Sequence, residues 1–282
     1  MKTIHSIGIF TFLMLLVGCG TSVGSGSATS NLSGVVSEDT APYALLELAT
    51  GKVTWFVALP AGDPDLTKTT HMAFRRVTVS GEHDALVGVF EVTQAQWQML
   101  DTTPGPLPWA SVPNGVCAAA TSIGPKRPAF NLEFEYASSV VDGYAPGKAR
   151  LTLPTDSQWT AACGVSTGWW WGSAANPTVF QAQLAANSIV RESILSTARM
   201  STIPGVDSAG PVDVGSCNPS PQGFFDIHGN VWEIIAGGDH AKGGCWRDSA
   251  WQSRAEVSLT NIEGYHGRMD YALVGMRLVL VP

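Results

Sequence analysis

The apolar residues of this chain fall into short runs rather than long stripes. Residues 43–59, YALLELATGKVTWFVAL, alternate around a Thr-Gly pair and predict a β-hairpin. AFRRVTV (73–79) and ALVGVFEV (85–92) carry the same β-forming residues and predict further short strands. At Thr93 the period changes. TQAQWQML places apolar side chains at Ala95, Trp97, Met99 and Leu100 behind a threonine that can cap, which predicts a short helix. NLEFEYASSVVDGY (131–144) has a period near 3.6 through Phe134, Ala137, Val140 and Val141, and predicts a second. LTLPTDSQWTAAC (151–163) reads as a strand end, a proline turn and a third helix, opened by Thr155 with Gln158 three positions on. Residues 101–128 are rich in Pro, Gly and Ser and read as loop, as does the stretch from Trp169 to Gly210. GGCWRDS (243–249) and LVGMRLVLV (273–281) predict two short strands near the end. The sum is α+β, with few short helices, small sheets, many loops and no internal repeat.

The first residues follow a different pattern. Lys2 and His5 precede an apolar run from Ile7 to Val17, too short to span a bilayer as a mature helix and suited to a signal-peptide core. The run ends in Leu16-Val17-Gly18-Cys19, which resembles a bacterial lipobox, in which the cysteine becomes the acylated N-terminus. Several acyl chains on Cys19 give stable membrane anchoring. Gly20 rather than Asp after that cysteine favours the outer membrane. Residues 20–41 are rich in Gly, Ser and Thr and read as a flexible tether. The expected organisation is therefore a signal peptide over 1–18, a lipidated Cys19 and tether over 19–41, a β-rich extension over 42–84, and a main domain over 85–282.

Composition narrows the partners. The net charge is −7 and only 14% of residues are charged, with Lys and Arg scattered. No basic patch supports a nucleic-acid footprint. Beyond Cys19, four cysteines remain: Cys117, Cys163, Cys217 and Cys245. An even number in an exported chain predicts disulfides, with three connectivities open; Cys117–Cys163 with Cys217–Cys245 is the expected pairing, and a pair of free thiols the alternative. His71, His83, His240 and His266 are scattered without transition-metal spacing, and His228 is read as a plain loop imidazole.

Seven segments, in order, resemble motifs of the formylglycine-generating enzyme (sulfatase-modifying factor) domain. They are GVFEVTQAQWQML, RPAFNLEFEYA, RLTLPTDSQWTAAC, WWWG with the following Asn187, GFFDIHGNVWEI, KGGCW and VGMRLVL. The resemblance covers about residues 85–282 and implies a large variant of the C-type-lectin-like fold. It also implies a structural calcium in the GFFDIHGNVWEI loop, held by the side chains of Asp226 and Glu233 and the carbonyls of Gly229 and Val231. The residue chemistry agrees, since calcium takes hard oxygens from carboxylates and backbone carbonyls alike. A second calcium would fall on Asn187 and Asp207.

The family's enzymes oxidise a substrate cysteine to formylglycine with copper held by two cysteines. Aligned on Gly243-Gly244, those two positions are Asp248 and Ser253. A carboxylate and a hydroxyl are hard ligands that suit Cu(I) poorly, so copper is not expected. Around them stand Cys245, Trp251 and Arg254 as the remaining groove candidates. Three functions are consistent with this pattern. One is a binding or structural module for an exported protein, peptide or glycan. Another is an oxidase of an exported peptide or small molecule. The last is a sugar binder that stacks rings on Trp169 and Trp170, with Trp171 packed into the core.

Overall fold

The computed structural model describes residues 34–60, 65–112, 122–191, 193, 210–237, 240–260 and 270–282. The expected hairpin forms from β1 (Tyr43–Glu47) and β2 (Lys52–Phe56), paired antiparallel with Leu45 opposite Thr54. Its turn needs a glycine. Gly51 has φ +69°, and a Cβ there would fall 1.8 Å from the Pro146 carbonyl oxygen. β3 (His71–Val77) lies on the other side of β1 and leads to β4 (Ala85–Gly88). β5 (Arg150–Thr152) forms the far edge, and β10 (Val279–Val281) inserts between β4 and β5. The order is β2-β1-β3-β4-β10-β5. Residues 42–84 are therefore not an appendage: β1 and β3 continue the sheet that β4 and β10 build.

A second, four-stranded sheet is small and carries the central loops. It runs β8-β7-β6-β9, with β6 (Trp232–Ile234), β7 (His240–Lys242), β8 (Ser258–Thr260) and β9 (Val274–Gly275). The β6–β9 pair is parallel. GGCWRDS, expected as a strand, is not one. β7 stops at Lys242 because Gly243 and Gly244 take φ +96° and +77°, and left-handed backbone leaves the pleat. LVGMRLVLV does supply two short strands, β9 and β10.

Three helices start where expected. In α1 (Gln94–Leu100) the Thr93 hydroxyl accepts the Gln96 N–H while the Gln96 side chain accepts the Thr93 N–H. α2 spans Phe134–Asp142 and buries Ala137, Val140 and Val141. α3 (Asp156–Cys163) repeats the capping box with Thr155 and Gln158 and ends on Gly164 at φ +81°. A fourth helix, α4 (Pro177–Asn187), lies inside the stretch expected to be loop. Asn176 caps it by accepting the N–H groups of Thr178 and Val179, and Pro177 fills its first position.

The main core joins the two sheets. Leu46, Phe74, Trp97, Phe130, Trp232 and Trp246 are among its fully buried members. A second cluster around Trp159, Cys163, Phe224 and Ile227 lies under α3. Among the described residues no helix is long and apolar enough to cross a membrane.

Candidate functional site

The Gly243–Arg254 segment folds back on itself. A Cβ at Gly244 would stand 2.8 Å from the Cα of Ser253, so only glycine permits this approach. Cys245 and Trp246 belong to the core. Asp248 accepts the Cys245 N–H at 3.1 Å with Oδ2 and the Gln252 side-chain amide at 3.1 Å with Oδ1. Ser249 caps the single 3-10 turn Ala250–Ser253, with Gln252 returning the bond. Ser253 is fully buried; its hydroxyl donates to the Ala250 carbonyl at 2.9 Å and accepts from the Trp169 indole at 3.1 Å. Both groups are structural members of the turn.

Behind the turn lies a thiol–imidazole pair. His228 Nδ1 donates to the Ser253 carbonyl at 2.5 Å, which leaves Nε2 as an acceptor facing the Cys163 thiol at 3.6 Å. The arrangement has the composition of a catalytic dyad but not its electrostatics. Burial lowers the His228 pKa to about 4, opposed only in part by the Ser253 carbonyl and Glu256. Burial also pushes the Cys163 thiol up to about 12. Both groups are neutral at pH 7, and a neutral thiol sealed from solvent is not a nucleophile. Cys245 is no more reactive: burial, then the Asp248 carboxylate, raise its pKa well above normal. No disulfide joins the described cysteines, and the expected Cys217–Cys245 bridge is not formed. Cys163 is instead turned toward His228, and the Cys245 backbone is fixed by Asp248. Cys117 lies outside the described residues, as do Cys19, Asp207 and His266.

Aromatic side chains roof this region. Trp169 and Trp171 stack at 6.0 Å and 20°, Trp170 meets Trp171 edge-on at 5.3 Å, and Trp171 meets His228 edge-on at 5.1 Å. Trp169 also packs on Phe180 of α4, while Arg254 lies over its ring at 5.6 Å and pairs with Glu256 at 2.7 Å. The three indoles thus spend much of their faces on one another. Trp251, 59% exposed, is the large aromatic left open to solvent on this turn.

The GFFDIHGNVWEI segment resolves differently from the calcium loop expected of it. Glu233 sits in β6, fully buried, and both its oxygens are committed: Arg277 Nη2 approaches Oε1 at 2.6 Å, and the Trp159 indole donates to Oε2 at 2.7 Å. Gly229 and Asn230 are held by backbone bonds to Gly243 and Ile189. A third acid enters from β4's exit: Glu91, fully buried, accepts the Val231 N–H at 3.1 Å and the Asn230 side-chain amide at 2.5 Å. Asp226 has φ +56°; its Oδ2 accepts the Gly215 N–H at 2.5 Å, and its buried Oδ1 has no partner. That orphan oxygen is what a cation site would offer, but the second carboxylate is occupied by an arginine. Among the described residues no three metal-competent side chains converge. The Asp226, Gly229, Val231, Glu233 set therefore does not fit calcium as it stands. Asn187, the other described calcium candidate, accepts from the Asn218 amide at 3.1 Å.

Electrostatically this is a cluster of three acids on one base. Burial, and then Asp226 and Glu233, raise the Glu91 pKa well above normal. Burial raises that of Asp226 to about 6, against the Gly215 N–H and Arg277. Burial works against the Arg277 charge, but Glu233 outweighs it and holds the guanidinium protonated.

Residues 45–280 match the sulfatase-modifying factor enzyme 1-like domain. The chain belongs to that family. Among solved structures it is similar to PvdO from Pseudomonas aeruginosa, with a TM-score of 0.52, 14% identity, and coverage of 86% of this chain and 92% of that one. It is also similar to Treponema denticola variable protein 1, with a TM-score of 0.51, 17% identity, and coverage of 75% and 96%. At these identities the likeness concerns the fold alone. No curated protein sequence matches the chain significantly. Within the sulfatase-modifying factor frame, the two positions that the resemblance marks for copper thiolates, Asp248 and Ser253, carry hydrogen-bonded oxygens.

The expected groove residues Cys245, Asp248, Trp251, Ser253 and Arg254 do come together on one turn, though only Trp251 and Arg254 reach solvent. Sequence reasoning missed Glu91 and Arg277. Their signal was present: each is a lone charge inside an apolar run, VGVFEV and VGMRLVL. A charge there must be paired once the strand is buried.

Proposed function

We propose that this chain is a lipid-anchored binding module of the bacterial cell envelope, a sulfatase-modifying-factor domain that does not oxidise cysteine. The observation that carries the reading is the fate of Asp248 and Ser253. Both oxygens of Asp248 cap the turn, and the Ser253 hydroxyl bridges Ala250 and Trp169. A Cu(I) ion at these positions would have to break those bonds to gain ligands it binds poorly. The thiols nearby are buried and protonated. What remains available is a recognition surface, with Trp251 exposed and Arg254 beside it; aromatic and arginine side chains are the usual anchors of such surfaces. The partner class is an exported protein or peptide. The anchor rests on the Leu16–Cys19 pattern, and Gly20 supports an outer-membrane address.

The test loads the purified chain with Cu(I) under oxygen and offers a peptide with a Cys-x-Pro-x-Arg core. The reading expects no tight Cu(I) binding in competition with a chelator, and no mass change at the peptide cysteine. Conversion of that cysteine to the aldehyde by folded protein would overturn it.

A further inference from the structure

An open cleft of about 700 Å³ lies between β3 and α3 and shares no residue with the Trp251 turn. Its volume is within the range of small-molecule sites, roughly 300–1,000 Å³. One wall is the end of β3 and its continuation: Arg75, Val77, Thr78 and Ser80. The other is the face of α3 that the core leaves open, where Ser157, Thr160, Ala161 and Gly164 recur at helical spacing.

The charges in this cleft are not equivalent. Arg76 is spent on the backbone, donating to the Ala41 and Glu38 carbonyls. Asp156 is paired with Lys242 at 3.1 Å and hydrogen-bonded to His240 at 2.9 Å. Arg75 is left over. Among the described residues no carboxylate pairs with it, yet it is held in place. Its guanidinium lies 5.4 Å from the ring of Tyr43, its cross-strand neighbour. On its other side is Gly223, at φ +80°, where a Cβ would fall 2.0 Å from a guanidinium nitrogen. A side chain at 223 would push Arg75 out of this position.

An arginine fixed by an aromatic face and a glycine, without a counter-ion, is preorganised for a planar anion, and a carboxylate matches its fork of donors. The surroundings specify the rest of the ligand. Thr78, Ser80, Thr160 and Ser166 supply hydroxyls, and Gln222, whose Oε1 has no hydrogen-bond partner, packs on Gly164. Val77, Ala161 and Val165 add a narrow apolar strip. We propose that this cleft binds a polyhydroxylated carboxylate, a uronic-acid-type sugar, with the carboxylate on Arg75 and the ring hydroxyls along α3. This site is separate from the Trp251 surface and does not depend on whether that turn oxidises cysteine.

Titration calorimetry of the purified chain with D-glucuronate and D-galacturonate, against D-glucose, tests it. Uronate binding is expected, with glucose at least tenfold weaker. Arg75→Gln should weaken uronate at least tenfold while leaving glucose unchanged. Thr160→Trp, which sets a bulky ring on the α3 wall of the cleft, should weaken binding of both at least tenfold, with melting temperature checked for each variant. Absence of uronate binding by the unmodified chain, equal affinity for glucose, or uronate binding unaffected by either folded variant would overturn the assignment. None of these outcomes bears on peptide oxidation, so the two readings fail separately.

Discussion

Replacing His228 by Gln should reshape the pH dependence of stability. The imidazole is fully buried, with a folded pKa of about 4 against 6.5 for an unperturbed histidine. A base whose folded pKa is depressed contributes stability that is complete above 6.5. It is lost as pH falls, because the unfolded chain takes up a proton that the folded chain refuses. At 1.36 kcal/mol per pKa unit, the loss reaches about 2 kcal/mol by pH 5 and about 3 kcal/mol by pH 4. Asp226 acts in the opposite sense. Its folded pKa of about 6 against 3.8 means that the folded chain holds the extra proton, so acidification from pH 7 to 5 returns about 1 kcal/mol. The assay is urea unfolding of the native and His228→Gln chains at pH 7 and pH 5, with the change in stability compared between them. Glutamine can still reach the Ser253 carbonyl or the Cys163 thiol, but it does not titrate. The native chain should lose about 2 kcal/mol more than the variant across that interval. Parallel pH profiles would refute the assignment of His228 as a buried neutral imidazole.

Arg277→Met should be the most damaging single change, because it strands Glu233 beside Glu91 and Asp226; breaking a buried pair costs about 3–5 kcal/mol, read as loss of the folding transition or a lowered denaturant midpoint. Gly244→Ala should cost more than about 1 kcal/mol, since left-handed backbone and contact with Ser253 both oppose it, and thermal melting reads the loss. Thr155→Ala should cost about 1 kcal/mol through the lost cap of α3, again by melting. Trp251→Ala should leave stability within about 0.5 kcal/mol of the native chain, by urea unfolding, which distinguishes an exposed recognition side chain from a core one.

How much of this was legible in the sequence depended on how local the cause was. Thr93 and Thr155 announced α1 and α3 because a capping box is complete within four residues. The hairpin showed for the same reason. α4 was hidden: PTVFQAQLAAN buries only Leu184 and Asn187, so no apolar stripe marks it, although Asn176-Pro177 carried a start signal. The groove residues of 243–254 are visible along the chain, but not the closure of their turn. That closure depends on Gly244 meeting Ser253 and on His228 bonding to the Ser253 carbonyl. Least legible was the acid cluster. In the sequence Glu233 pairs with Asp226 as a metal ligand, whereas its engagement by Arg277 joins residues 44 positions apart. Such pairings are set by the topology of the sheets, not by spacing along the chain.

The position of β10 has a consequence for how the chain acquires its structure. The last strand in chain order is not at a sheet edge but between β4 and β5, so residues 279–281 bridge partners near residues 86 and 151. Until those residues leave the ribosome, β4 and β5 each expose an unsatisfied edge. Arg277, two residues earlier, is likewise the counter-charge that Glu233 awaits. Closure must therefore be a late, long-range event. Such non-local pairing slows folding and leaves strand edges open to association while it is pending. A nascent chain of this kind gains from being held extended until β10 is available.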